Sequence, residues 1–275
     1  MTSPRHSRFA AALLAVTLAG FSWASTPAEQ AESNGFVPKV GQAGKDVIWV
    51  PTPQTLVDRM LDMAGLTPED TLVDLGSGDG RTVITAAKRG AKARGIEYNP
   101  DMVALSRSAA LREGLKDRAV FEQADIFESD FSDATVVTLF LLPNLNLKLR
   151  PTLLDMAPGT RVVSNSFTMG DWEPDETVEA EGCTNYCIAY KWVVPAKVEG
   201  SWSLADGKLL LTQNYQFVEG MLNRGGNTLP VTDGRLDGAT LRFKVGDEEY
   251  QAVVNGNQMQ GKVNGQTAWS ARKEG

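Results

Sequence analysis

A glycine-rich loop between a predicted strand and a predicted helix constrains this chain most. The loop, DLGSGDG at residues 74–80, follows the apolar run that begins at Thr71 and precedes a helical stretch that begins at Arg81. Glycines let a backbone turn sharply and approach a ligand closely. The pattern predicts a ligand-binding loop, and we expect six of its residues to contact a cofactor: Asp74, Gly76, Ser77, Gly78, Asp79 and Gly80.

The pattern around the loop predicts an α/β domain. From Val47 to about Pro195, short β-branched runs alternate with helical stretches. This alternation indicates a doubly wound, Rossmann-like, mostly parallel seven-stranded sheet with ligands outside the carboxyl ends of its strands. Residues 134–142 predict a long central strand, residues 147–156 a helix disturbed by Pro151, and residues 161–167 a fifth strand.

The remainder of the chain has another character. After Val198, short alternating strands are separated by dipeptides that favour tight hairpins, and these predict a small antiparallel all-β domain. The dipeptides are Asp233-Gly234, Asp237-Gly238, Asn255-Gly256 and Asn264-Gly265. Its many Asn and Gln residues suit a carbohydrate or peptide surface, and the alternative is a module that packs on the first domain.

Two further acids follow predicted strands. Glu97 ends the second strand, where an acidic side chain accepts hydrogen bonds from ribose hydroxyls. Asp125 ends the third strand, where we expect it to accept from an adenine amino group while Ile126 packs on the ring. Tyr98 is expected to pack near the adenosine, and its alternative is a core aromatic at a strand end.

Charge distinguishes between the ligands that such a loop holds. A nicotinamide dinucleotide expects G-x-G-x-x-G, but here the third glycine comes one place early. Carboxylates from Asp74 and Asp79 would repel a diphosphate, whereas they suit a ligand that carries an ammonium and a sulfonium. S-adenosylmethionine is such a ligand. The remaining alternative is a purely structural turn.

Composition excludes several chemistries. The single histidine is His6, in a segment that we expect to be removed, so no Ser-His-Asp triad and no His-ligated metal site is predicted. Two cysteines are too few for a four-thiolate zinc site. The net charge is −7 and no long basic block occurs, so nucleic acid is not an expected partner.

The N-terminus is typical of export. A basic start is followed by a 13-residue apolar run at residues 9–21, which is short of the ~20 residues of a membrane-spanning helix. We predict a signal peptide over 1–24, a linker over 25–45, a first domain over 46–196 and a β domain over 197–275. The expected location is periplasmic or secreted, and the alternative is an uncleaved N-terminus that anchors the protein to a membrane.

Cys183 and Cys187 lie four residues apart. In an exported protein this pair favours a disulfide at a turn. Two buried thiols or a redox pair are the alternatives, although the two-residue spacing of redox motifs is absent. Trp172, after the fifth predicted strand, is expected either at the rim of a site or in packing.

The first domain resembles the class I S-adenosylmethionine-dependent methyltransferases over about residues 46–194. The residues that carry the resemblance are VDLGSGDGR at 73–81, GIEYNP at 95–100 and ADI at 124–126. A finer resemblance, through WVPTP at 49–53, is to protein-lysine methyltransferases that act on mitochondrial ATP synthase and nucleotide-carrier lysines. LLPN at 141–144 and RVVSNSF at 161–167 more distantly resemble non-SET histone-lysine methyltransferases.

The resemblance implies roles for further residues. Thr52, Pro53 and Asn99 would line the cofactor site, and Pro143 and Asn144 would border the methyl-acceptor pocket, with Asn144 holding the amine. The implied partner is a protein lysine. A small-molecule methyltransferase and a catalytically idle binding module are the alternatives.

Overall fold

The computed structural model describes Met1 and residues 35–274, so residues 2–24 of the predicted signal peptide and 25–34 of the predicted linker lie outside the described residues. Eleven elements form the first domain: α1 (Gln54–Met63), β1 (Thr71–Leu75), α2 (Arg81–Lys88), β2 (Lys92–Glu97), α3 (Pro100–Arg112), β3 (Ala119–Gln123), β4 (Val136–Leu139), α4 (Pro143–Leu154), β5 (Arg161–Asn165), β6 (Glu176–Glu179) and β7 (Ile188–Val193). None of the described helices is long and apolar enough to span a bilayer.

The predicted seven-stranded sheet is confirmed. Its strand order is β3-β2-β1-β4-β5-β7-β6; the first five strands are parallel, and β7 runs antiparallel to both neighbours. Strand β1 lies between β2 and β4, with Asp74 opposite Gly95 on one side and Thr138 on the other. The order reverses at β1, and the crevice at such a switch point is where open α/β sheets bind ligands.

Helices cover both faces of this sheet because β1 and β4 are apolar on both sides. Apolar residues of α1, α2 and α3 form one buried cluster, which includes Leu56, Val83 and Val103. Residues of α4, among them Leu149, form the cluster on the other face. These two layers hold the loops at the carboxyl ends of the strands in place.

Three predicted boundaries were wrong. The strand expected over 134–142 is β4, which ends at Leu139, and the helix expected from 147 is α4, which begins at Pro143. Proline carries a fixed φ that suits the first helical position, so Pro143 starts the helix early. Pro151 lies inside α4 without ending it. Likewise the fifth strand ends at Asn165, because Ser166 has φ +60° and leaves the extended conformation.

The β domain is a closed barrel of eight antiparallel strands, a more definite architecture than predicted. Its strands are β8 (Gly200–Leu204), β9 (Gly207–Asn214), β10 (Phe217–Arg224), β11 (Asn227–Asp237), β12 (Thr240–Val245), β13 (Glu248–Asn255), β14 (Gln258–Val263) and β15 (Thr267–Lys273). Asp233-Gly234 is a bulge within β11 rather than a hairpin turn, with Asp233 at φ +53°. Closure gives each of the eight strands a partner on both sides.

The barrel contacts the segment that follows β5. The ring of Tyr215 stacks on Trp172 at 6.0 Å, and its hydroxyl donates to Asp171 Oδ2 at 3.0 Å. The side-chain amide of Gln216 donates to the carbonyl of Glu173 at 2.8 Å. Trp172 is fully buried, so it has the packing role and does not lie at a rim.

Candidate functional site

An open cavity of about 210 Å³ lies at the carboxyl edge of the parallel strands. The glycine loop after β1 forms its floor. At Gly78, φ is +54°, and a Cβ atom there would lie 2.7 Å from the indole nitrogen of Trp49. At Gly80, a Cβ atom would lie 2.7 Å from the ring of Phe121. Only glycine therefore fits at either position, and the loop backbone faces the cavity directly.

Glu97 ties this loop to the end of β2. Its Oε2 accepts the backbone N–H of Gly78 and its Oε1 accepts that of Asn99, each at 2.9 Å. A carboxylate has about four acceptor positions, so both oxygens keep capacity toward the cavity, which Glu97 lines. This arrangement fits the expected contact with ribose hydroxyls and orients the carboxylate before any ligand binds.

Asp74 is the buried acid of the site. Thr138 Oγ1 donates to Asp74 Oδ1 at 2.6 Å, and among the described residues it is the one hydrogen-bond donor to this carboxyl group. Burial raises the pKa of Asp74 to about 7, and the charges of Asp79 and Glu97 act in the same direction. A carboxyl group that is short of donors and lines a cavity fits an ammonium-bearing ligand.

Asp79 is paired within the protein. Its carboxylate accepts from Arg81 Nη2 at 2.6 Å and from Arg81 Nε at 3.0 and 3.1 Å. Arg81 Nη1 also donates to the carbonyl of Thr52 at 2.9 Å. The expectation that both loop acids are available to a cationic ligand therefore holds for Asp74 alone, because Asp79 is ion-paired with Arg81.

Asp125 also has a cationic partner, which sequence reasoning missed. Lys45 Nζ forms an ion pair with Asp125 Oδ2 and lies 4.8 Å from the centre of the Tyr98 ring. The hydrogen bond from Lys45 is the main cause that lowers the pKa of Asp125. Tyr98 is half exposed and lines the cavity, so it is not a core residue.

The end of the predicted linker, residues 42–45, contributes to the site together with the five residues that follow it. Residues 42–50, here called the strap, line the cavity, and an isolated bridge between Ala43 and Ile48 shapes them. Gln42 Nε2 contacts the sulfur of Met102 at 3.8 Å, and Trp49 packs against Gly78. The signal for the strap was present in the motif WVPTP, whose tryptophan reaches the glycine loop.

The cavity brings together most of the predicted site residues. It is lined by Thr52, Asp74, Gly76, Ser77, Gly78, Asp79, Glu97, Tyr98, Asn99, Asp125 and Ile126. Pro53 caps α1 outside the lining, and Gly80 serves the close packing described above. Pro143 and Asn144 are exposed in the first turn of α4 and do not line the cavity.

An aromatic group at the cavity was not predicted. Phe140 follows β4, Phe167 follows β5 and Tyr186 precedes β7, and all three line the cavity. The strand order places these residues beyond β1 on the side away from Asp125. In the sequence, Phe140 was part of the strand predicted over 134–142 and Phe167 was the last residue of the strand predicted over 161–167. Tyr186 lies in a short loop closed by a disulfide between Cys183 and Cys187.

A family model described as the ANTKMT methyltransferase domain matches residues 74–176. A protein-lysine N-methyltransferase of Saccharolobus islandicus is 42% identical over 152 residues, which cover 54% of this chain and 94% of that protein. The adenine nucleotide translocase lysine N-methyltransferase of Mus musculus is 38% identical over 105 residues, or 38% of this chain; the match spans about half (46%) of the mouse protein.

Solved structures agree on the cofactor. An RNA methyltransferase of Salinibacter ruber, solved with S-adenosyl-L-homocysteine, is 51% identical; the match covers 54% of this chain and 96% of that one, with a TM-score of 0.52. Three features of the cavity fit S-adenosylmethionine: the buried Asp74 with its single hydrogen-bond donor among the described residues, the oriented carboxylate of Glu97, and the glycine loop. The chain belongs to the ANTKMT-type family of S-adenosylmethionine-dependent methyltransferases, with relatives named protein-lysine N-methyltransferases.

Proposed function

We propose that this enzyme methylates the side-chain nitrogen of a protein lysine. The observation that carries the proposal is that the cavity continues from the cofactor-binding loops to an aromatic wall formed by Phe140, Phe167 and Tyr186. A long aliphatic side chain ending in nitrogen suits such a wall. The names of the archaeal and mouse relatives support the same acceptor.

In this proposal, different residues of the cavity bind different parts of the cofactor. Asp74 takes the ammonium, Glu97 the ribose hydroxyls, and Asp125 the adenine amino group, with Ile126 against the ring. Lys45 competes with the adenine amino group for Asp125 Oδ2. The strand order β3-β2-β1 sets these acids in a row, which matches an extended nucleoside amino acid.

When bound, S-adenosylmethionine supplies a methyl group activated by a sulfonium. Asp74, Glu97 and Asp125 would hold the cofactor so that the lysine nitrogen accepts this methyl group, and the sulfur would keep the electron pair of the broken carbon–sulfur bond. The acceptor nitrogen must be unprotonated when it takes the methyl group, and the positive charge of the sulfonium lowers the pKa of an amine that approaches it. The protein therefore acts mainly by alignment and exclusion of water. In this proposal Pro143 and Asn144 form the outer rim, where the acceptor protein docks.

RNA is the second candidate acceptor, because the Salinibacter protein is named an RNA methyltransferase. The chain has 27 Lys and Arg against 34 Asp and Glu residues. Nucleic-acid affinity is dominated by cationic contacts to phosphates, so this balance favours a protein. A small-molecule acceptor or a catalytically idle binding module would each give a distinct result in a transfer assay.

Methyl transfer to separate acceptor classes tests the proposal. The protein is incubated with radiolabelled S-adenosylmethionine and with an extract of the producing cells, divided into protein, RNA and small-molecule fractions. We expect label in protein, recovered as Nε-methyllysine by mass spectrometry, and much less label with Glu97→Ala at a subsaturating cofactor concentration. Glu122→Ala, on the neighbouring strand and outside the cavity lining, is the matched control. Label in RNA or in the small-molecule fraction alone would contradict lysine methylation, and no label in any fraction would favour the idle module.

We also propose that the protein is exported. The disulfide between Cys183 and Cys187 supports this, since such bonds persist in oxidising compartments. N-terminal sequencing of protein from fractionated cells tests it. A chain that begins at Ser25 is expected outside the cytosol, a membrane-bound chain that begins at Met1 would favour the anchor, and an intact cytosolic chain would refute export.

A further inference from the structure

We propose that the disulfide-closed loop Cys183–Cys187 positions Tyr186 as a specificity-determining residue that binds the alkylammonium group of the acceptor. This inference rests on the proposed function and names the residues of that site that select a cationic side chain. It is carried by three features: an aromatic group, a covalent constraint and a strained backbone.

The three rings form one continuous surface. The Phe140 and Tyr186 centroids are 5.1 Å apart at 62°, those of Phe140 and Phe167 are 6.1 Å apart at 23°, and those of Phe167 and Tyr186 are 6.5 Å apart. All three rings line the cofactor cavity. The faces of aromatic rings attract cations through their quadrupoles, and an apolar surface that also faces a methyl donor suits a lysine or methyllysine side chain.

Tyr186 is the exposed member of this group. It lies at the cavity although 44% of it is exposed, whereas an aromatic ring kept for packing is normally buried. Within the described part of the chain, it belongs to neither buried cluster of the α/β domain. The ring is therefore placed where an incoming side chain would meet it, and not where it would stabilise the core.

A covalent constraint holds this ring. The bond between Cys183 and Cys187 closes a loop of five residues, and Tyr186 is adjacent to one of the two cysteines. The backbone N–H of Ala180 donates to the carbonyl of Cys187 at 2.8 Å, which joins the loop to the end of the sheet. So short a closed loop leaves Tyr186 few conformations, which reduces the entropy lost when a ligand orders it.

The backbone on both sides of the site is strained. Tyr186 has φ +57° and Ser166, which precedes Phe167, has φ +60°. Residues other than glycine rarely adopt this region, and such residues concentrate where a side chain must be aimed at a ligand. The N–H of Ser166 donates to the carbonyl of Ile188 at 2.7 Å, so the two strained segments are also linked.

A permanent cation tests the inference without knowledge of the natural acceptor. The probe is Nα-acetyl-Nε-trimethyllysine methylamide, and its uncharged tert-butyl isostere is the comparison. Each is titrated by NMR into the full chain, with and without S-adenosylhomocysteine. We expect the cation to bind more tightly than the isostere, and Tyr186→Ala to weaken its binding roughly 3- to 30-fold.

Three further variants sharpen the result. Tyr186→Phe keeps the ring and should stay within about twofold of wild type. Ile188→Ala, on an exposed neighbour that does not line the cavity, should change nothing. The double variant Cys183→Ser with Cys187→Ser should lower the affinity for the cation. Its affinity for S-adenosylhomocysteine, measured calorimetrically, should be unchanged.

Equal binding of cation and isostere, or full binding by Tyr186→Ala, would overturn the inference. These outcomes differ from a failure of the proposed function, which is judged by the methylated product. Cation binding through Tyr186 together with label only in RNA or in small molecules would refute protein-lysine methylation and leave the alkylammonium site standing. Methyllysine formation together with unchanged cation binding by Tyr186→Ala would support protein-lysine methylation and refute the alkylammonium site.

Discussion

Thr138 donates a 2.6 Å hydrogen bond to Asp74 across the β1–β4 pairing, at the point where the strand order reverses. The two residues are register partners, so the sheet itself aims the hydroxyl at the carboxyl group. This bond lowers the pKa of Asp74, but burial raises it more, to about 7. The protonation of Asp74 near neutral pH should therefore affect both the stability of the folded protein and its affinity for the cofactor.

Stability of the cofactor-free protein should fall as pH rises from about 4 to about 7. The folded state binds a proton on Asp74 up to a pKa of about 7, whereas the unfolded state releases it near 3.8. Above pH 7, Asp74→Asn should be the more stable protein by an amount approaching about 4 kcal/mol, at ~1.4 kcal/mol per pKa unit. Urea unfolding of both proteins between pH 4 and 8 measures the difference, and parallel curves would refute the assignment.

The same variant should bind the cofactor poorly. Loss of a charge-assisted hydrogen bond costs about 1.5–3 kcal/mol, or roughly 10- to 150-fold in affinity. Calorimetric titration of S-adenosylmethionine at pH 8 gives the value. The gap between wild type and Asp74→Asn should narrow at pH 6, because the wild-type carboxyl group is then largely protonated. A gap of equal size at both pH values would show that the charge of Asp74 does not bind the ligand.

Glu97→Ala should lose cofactor affinity by about 1–3 kcal/mol, the cost of removing a hydrogen-bond partner. It also releases the N–H groups of Gly78 and Asn99, so the loop loses its link to β2. Calorimetry with S-adenosylhomocysteine measures the loss. Glu122→Ala should bind as wild type, and equal affinity of the two variants would remove Glu97 from the site.

Lys45→Met should raise cofactor affinity about two- to fivefold, the range of an exposed ion pair. Lys45 is paired with Asp125 Oδ2 in this structure and competes with an adenine amino group for that oxygen. Lys39→Met, in the same exposed segment, is the matched control. A fall in affinity would mean that Lys45 contacts the ligand directly.

The elements with strong local signals were predictable. The strand Thr71–Leu75, the glycine loop and the capped helix at Pro100–Arg112 follow from apolar runs, glycine and proline, which act within a few residues. The predicted boundaries were wrong after β4. Pro143 begins α4 earlier than expected, and Phe140 lies beyond the end of β4 and lines the cavity.

The sequence alone determined the sheet class, the loop and the acids at the strand ends, because these depend on periodicity and backbone conformation. Only the tertiary structure decided which charges are free. Lys45 reaches Asp125 from 80 residues away and Arg81 pairs with Asp79, so Asp74 remains as the buried acid of the loop that has no cationic partner among the described residues. It also decided that Phe140, Phe167 and Tyr186 meet, since their contact comes from strand order and not from sequence spacing.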